Sequence, residues 1–258
     1  LSQGKNHKVV VSEVLGFGDA SPIPAKLQPN GLWISFECRY SKNRALNSMR
    51  NIQRFKEDEM SFQLFEHDTL FLQRFLRSAG FYTAKLDGVY GKKTDAAVNS
   101  FEERTEEIAL AFGKFDARSE KNIGSLHPKA QQVARVFLKK VRDAGIDARI
   151  ISGTRTYAEQ NALYSQGRFG NPGPIVTNAE GGESNHNFGI AWDIGIFDDG
   201  AYLGESPLYD KVAEVGLSTD LEWGGNWRSF KDKPHYQLAT GLILASVRDK
   251  FEEGEVIV

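Results

Sequence analysis

The chain has 258 residues, 26% of them charged and 40% hydrophobic, with a formal net charge of −2. These are ordinary globular proportions, enough for one large domain or two modest ones. The near-neutral balance gives no cationic field for nucleic acid or anionic lipid, and no apolar run approaches the ~20 residues that span a bilayer, so neither nucleic acid nor membrane is an expected partner.

Residues 1–58 carry strand-like pieces, Val9 to Val11 and the alternating Leu32, Ile34, Phe36, Cys38 and Tyr40, around a Pro- and Gly-containing stretch at 18–31. Gly16-Phe17-Gly18 is too short for a phosphate loop, and no chemistry is visible in this segment. Cys38 is the single cysteine, which excludes an intrachain disulfide and fits a buried small hydrophobe. The sequence starts at Leu1 with no charged-then-apolar signal pattern, so export is unreadable.

Residues 59–104 read as a small helical domain. Leu72, Phe75, Leu76 and Ala79 form a helical stripe, Asp87-Gly88 a tight turn, and Thr94 an N-cap for a second helix with Ala97, Val98 and Phe101 inward. The charge-rich continuation through Glu106, Glu107, Lys114, Asp116 and Arg118 reads as a solvated helix end and a linker over 105–124. From Pro128 a helix turns Ala130, Val133, Ala134, Phe137, Leu138 and Val141 inward, and Gly145 stops it. A strand follows over Ile146–Ile151. Thr156-Tyr-Ala-Glu159 is a capping box for a helix ending near Gly167, and Ser206-Pro207 starts another that ends at Gly216. The expected fold of 125–258 is α+β, a small mostly antiparallel sheet flanked by helices.

The chemistry concentrates in two segments. In Ala191 to Ile196, alternation sends Trp192, Ile194 and Ile196 to one face of a strand and Asp193 to the other. In Pro234 to Leu238 it sends Tyr236 and Leu238 to the core, and His235 with Gln237 to the opposite face. His186 lies seven residues before Asp193 in a polar loop that Gly189 can turn back. Two histidines and a carboxylate make the three-ligand set of a catalytic metal, with the fourth corner open to water. On spacing alone this pattern is not specific. His7, His67 and His127 have no ligand spacing and read as surface or core residues, with His127-Pro128 a helix start.

A resemblance sharpens the reading. The segments Ser152-Gly-Thr-Arg-Thr156, Glu159-Gln160, Leu163-Tyr-Ser-Gln-Gly-Arg168, Pro172-Gly173, Val176-Thr-Asn-Ala179, Ser184-Asn-His-Asn-Phe-Gly-Ile-Ala-Trp-Asp193, Glu222-Trp-Gly-Gly-Asn-Trp227 and Asp232-Lys-Pro-His235 occur in this order. From about Ser119 onward the chain resembles the L-alanyl-D-glutamate endopeptidases, the endolysin and cell-wall-hydrolase branch of the zinc D-alanyl-D-alanine carboxypeptidase family. That resemblance implies zinc at His186, Asp193 and His235, a general base at Asp232, a substrate- and oxyanion-steadying Arg155, and a substrate-holding Ser184. Carboxypeptidase members resemble E-x-W-H at the last ligand; here Asp232-Lys-Pro-His235 has no glutamate at that spacing, and Glu222 reads as part of a structural turn. Residues 60–104 resemble a peptidoglycan-binding domain through Leu72-Gln73-x-x-Leu76, Gly80-Phe-Tyr82, Leu86-Asp-Gly-Val-Tyr-Gly91, Thr94, Ala97-Val98 and Phe101, with Glu102 where the family usually has glutamine. Tyr82, Asp87 and Tyr90 are its candidate wall contacts.

The implied function is zinc-dependent hydrolysis of the peptidoglycan stem peptide between L-alanine and D-glutamate. Its rivals are D-alanyl-D-alanine carboxypeptidase action and a non-catalytic wall-binding protein. Peptidoglycan is the expected partner and a monomer the expected state. The site of action is the cell wall, reached as a phage lysin from the host cytoplasm or as an exported bacterial enzyme. Every implied catalytic position follows residue 150, so a fragment beginning near Ser119 is expected to fold and cleave small muropeptides without the wall-binding domain.

Overall fold

In the computed structural model, which describes residues 64–258, the stripe Leu72, Phe75 and Leu76 builds helix α1 (Thr69–Ser78), capped by the Asp68 carboxylate accepting from the Phe71 N–H. The pieces expected within 1–58, with His7 and Cys38, lie outside the described residues. Buried Gln73 locks the next turn: its amide nitrogen donates to the Asp87 carboxylate, and its oxygen accepts from the Asp87 and Gly88 N–H groups at 3.0 Å. Helix α2 (Lys92–Phe112) begins at Gly91, so Thr94 is not its cap. Thr94 is buried in the first turn, with its hydroxyl 3.4 Å from the Gln73 amide nitrogen.

The segment 105–124, expected as a linker, is mostly helical. Helix α2 runs to Phe112, and α3 (Ala117–Gly124) is capped by Asp116. Ile108, Ala109, Ser119 and Ile123 face inward, which leaves the charges on the solvent side that the composition registers. Glu120 also reaches a partner far along the chain, taking both terminal nitrogens of fully buried Arg135 at 2.8 Å.

Helix α4 (Pro128–Asp143) starts at His127, whose Nδ1 accepts from the Lys129 N–H. Strand β1 (Ala148–Ser152) follows, and then α5 (Tyr157–Ser165), where both hydrogen bonds of the Thr156–Glu159 capping box are present. A 3₁₀ turn (Asn185–Phe188) leads into β2 (Ala191–Asp198), β3 (Ala201–Leu203), α6 (Leu208–Gly216), β4 (Leu221–Trp223), a second 3₁₀ turn (Gly224–Asn226), β5 (His235–Leu238) and α7 (Leu244–Glu253). The sheet order is β1-β2-β5-β4, with β3 also on β2, and every pairing is antiparallel. This is the expected helix-flanked antiparallel sheet.

The helical module and the sheet domain share one core. Phe71 of α1 meets Tyr157 edge-on at 5.8 Å and Phe251 of α7 at 5.3 Å, and Phe251 in turn meets Phe188 at 5.3 Å. Burying this aromatic group depends on both parts of the chain, because Phe71 takes Tyr157 and Phe251 of the sheet domain as ring partners. Among the described residues no helix is long and apolar enough to cross a membrane.

Candidate metal centre

Strand register brings two of the candidate ligands together. Asp193 on β2 lies directly opposite His235 on β5, while Trp192 and Tyr236 pair on the buried face. His186 arrives from the 3₁₀ turn, which Ser184 caps by accepting from the His186 N–H at 3.4 Å and Gly189 closes in the left-handed region. Asn187 stitches this loop to the one after β1: its amide donates to the Arg155 carbonyl at 2.9 Å and accepts from the Gly182 N–H at 3.0 Å. The Arg155 N–H also donates to the His186 carbonyl at 3.1 Å.

The result is a tight donor set. Nε2 of His186, Oδ1 of Asp193 and Nδ1 of His235 are separated by 3.1, 3.2 and 3.2 Å. These edges are close to the ~3.3 Å expected for a tetrahedron with metal–ligand bonds of ~2.0 Å. One carboxylate oxygen and two imidazole nitrogens suit zinc or a similar borderline divalent ion. The outer nitrogen of each ring is engaged as well. Nδ1 of His186 donates to the Gly153 carbonyl at 2.7 Å, and Nε2 of His235 faces the Gln237 amide oxygen at 3.0 Å. Gly153 can approach because it has no Cβ; one built there would collide with the Asn122 carbonyl.

The charges are strongly coupled. Burial opposes ionisation of Asp193, but His186, His235 and Arg155 overcome it and hold the carboxyl well below its ordinary range. Burial lowers the His186 imidazole. Burial also opposes protonation of His235, but hydrogen bonding and charge from Asp193 raise it on balance. Burial and the neighbouring Asp193 charge raise the Asp232 carboxyl. Asp232 is half-buried and stands outside the three-atom cluster, at the start of the turn where its carbonyl accepts from the His235 N–H. Trp227 covers His235 with its ring centroid 4.9 Å away.

Other sequence-derived positions divide. Arg155 is inside the site, but protein partners occupy it: it donates to Asp193 Oδ2 at 2.5 Å, to the Ser152 hydroxyl at 2.8 Å and to Gln160 at 3.2 Å. Ser184 is used as a cap. Tyr82, a candidate wall contact, is only 5% exposed and its hydroxyl donates to the Lys85 carbonyl, so its ring belongs to the core. Asp87 braces its own turn, whereas Tyr90 is 52% exposed. Glu222 is not confined to a turn: it lies on β4 opposite Gln237 and accepts from the Gln237 amide at 2.7 Å. The Gly153 carbonyl and Asn187 were not singled out by sequence reasoning, and backbone acceptors leave no residue-type signal.

The fold and the three-donor cluster fit a metallopeptidase domain with an attached helical module. Residues 177–238 match the D-alanyl-D-alanine carboxypeptidase family, and residues 67–105 match the peptidoglycan binding domain family. The chain is 40% identical over 124 residues to the peptidoglycan L-alanyl-D-glutamate endopeptidase CwlK of Bacillus subtilis (strain 168), an alignment covering 44% of this chain and 73% of that protein. The crystal structure of the Serratia marcescens L-Ala D-Glu endopeptidase ChiX is 28% identical with a TM-score of 0.36, covering 49% of this chain and 90% of that one. The chain belongs to the L-alanyl-D-glutamate endopeptidase branch of the D-alanyl-D-alanine carboxypeptidase family.

Proposed function

We propose that the protein is a zinc-dependent endopeptidase that cuts the peptidoglycan stem peptide between L-alanine and D-glutamate. The observation that carries this reading is the convergence of His186, Asp193 and His235 on one point, with the outer nitrogens of both rings engaged. Its bond specificity follows that of the 40% identical relative. Zinc, when bound, acidifies water toward neutral pH and polarises a carbonyl.

The chain's own residues supply the remainder. Asp232, with its carboxyl raised, takes the proton from the attacking water and returns it to the leaving amine of D-glutamate. Arg155 holds the outer oxygen of Asp193, which leaves Oδ1 for the metal, and contributes positive charge where the oxyanion develops. Ser184 shapes the loop beside the substrate. Asp232, three residues before His235, stands where the carboxypeptidase pattern E-x-W-H has its glutamate, and the aspartate there agrees with the endopeptidase reading. The helical module holds the enzyme on the wall and raises its local concentration there, with exposed Tyr90 as a wall contact.

Elemental analysis with chelation tests the metal. The purified protein should hold about one zinc per chain, lose activity to chelator and regain it with zinc. His186→Ala and Asp193→Ala should each abolish tight binding. Full activity in metal-free protein would contradict the reading.

A further inference from the structure

The geometry points to Gln237 as a positioning residue for the metal site, with Glu222 setting the direction in which it acts. This inference rests on the metal reading and extends it to a part of the chain to which that reading assigns no role.

A carboxylate can only accept hydrogen bonds. Glu222 therefore takes the NH₂ end of the Gln237 amide, at 2.7 Å, and this contact decides which way round the amide lies. The oxygen end is left facing two groups, the Asn185 amide at 2.7 Å and Nε2 of His235 at 3.0 Å. An amide oxygen can only accept, so a His235 ring that gives Nδ1 to a metal holds its proton on Nε2 against Gln237. Nδ1 then presents a bare lone pair to the cluster with His186 and Asp193.

The opposite amide orientation would reverse each of these consequences. Gln237 would offer an N–H to Nε2, the ring proton would move to Nδ1, and a hydrogen would point to where the metal belongs. Its oxygen would also face the Glu222 carboxylate, which is repulsive. Strand pairing holds the arrangement in place, because Glu222 on β4 and Gln237 on β5 are directly opposed and Gln237 shares a strand face with His235 two residues earlier. The relay thus runs Glu222 to Gln237 to His235. On the other ring the Gly153 carbonyl does the same work without a side chain.

The test is zinc affinity by chelator competition on the full chain, with thermal melting of the metal-free proteins as a check on folding. Gln237→Ala should bind zinc about 10–100-fold more weakly while melting close to the wild type. The double exchange Gln237→Glu with Glu222→Gln keeps an acceptor toward His235 and a donor–acceptor pair between the strands, and should recover affinity to within a few-fold. Equal affinity in Gln237→Ala and wild type, or a double exchange as weak as Gln237→Ala, would overturn the inference. Wild-type protein that fails to compete with the chelator would instead overturn the metal reading itself.

Discussion

Phe75, on the first helix of the wall-binding module, packs against Gly189, which closes the loop carrying His186. A Cβ placed on Gly189 would stand 2.6 Å from the Phe75 ring and 3.0 Å from the His127 backbone nitrogen, in a residue whose φ is +68°. The metal loop therefore has its tightest turn against a helix from outside the peptidase half. Gly189→Ala combines left-handed strain with steric collision and should lower stability by roughly 2–4 kcal/mol. It should also weaken zinc binding, because the turn that carries His186 must shift. Gly241→Ala is the control: its φ is +70° but nothing lies within 4 Å. Denaturant unfolding and zinc competition on both variants check this, and equal effects would show that the contact with Phe75 is immaterial.

The same contact changes what truncation should do. A fragment beginning near Ser119 loses Phe71 and Phe75, uncovering Tyr157, Phe251 and the turn at Gly189, and loses the Asp116 cap of α3. The expectation that it folds alone came from the position of the catalytic residues, all beyond residue 150, and took no account of the shared core. Calorimetry of the full chain should show residues 64–258 melting in one cooperative transition, and the fragment should melt far lower or bind hydrophobic dye. An independently stable fragment with full activity on soluble muropeptides would restore the two-domain picture.

Asp232→Asn separates metal binding from proton transfer. The variant should hold zinc with the wild-type stoichiometry and lose turnover by ~10²–10⁴ at saturating metal. Metal analysis and a muropeptide assay on the same sample check it. Because Glu222 acts on zinc affinity through Gln237, Glu222→Gln should regain activity as zinc is raised, whereas Asp232→Asn should not.

Acid should expose a second, structural histidine. Burial lowers the His127 imidazole from 6.5 to about 4, against a smaller opposing contribution from the Ser78 backbone. The folded form binds the proton less readily than the unfolded chain, so the stabilising contribution is complete above about pH 6.5 and is lost as pH falls through about 4. At pH 4 the loss is about 3 kcal/mol. His127→Asn retains an N-cap and removes the titration, so its unfolding free energy should fall less between pH 7 and pH 4. Parallel pH profiles for the two proteins would contradict this.

Much of the site was legible because strand alternation and metal chemistry are both local signals. Trp192, Ile194 and Ile196 identify the buried face of β2, and that leaves Asp193 opposite; the same alternation places His235 beside Gln237. The capping box at Thr156 and Glu159 is written in four residues. Helix α7 was not anticipated, because Ile243 at its N-cap makes no side-chain bond and only Val247 and Phe251 are buried amid charged neighbours. Helix α3 was hidden in the same way: its charges were visible, but the Glu120–Arg135 pair that draws one of them inward spans fifteen residues and is set only by tertiary packing. Tyr82 looked like an exposed aromatic beside a turn, and the Lys85 carbonyl supplies a partner for its hydroxyl that no local pattern announces.

Mass spectrometry of purified sacculi digested by the zinc-loaded chain tests the central claim most directly, because the new termini identify the bond that is cut. The expected products are muropeptides ending in L-alanine and peptides beginning with D-glutamate, both absent after chelation and absent with Asp193→Ala. Release of terminal D-alanine alone, or termini at any other bond, would contradict the account.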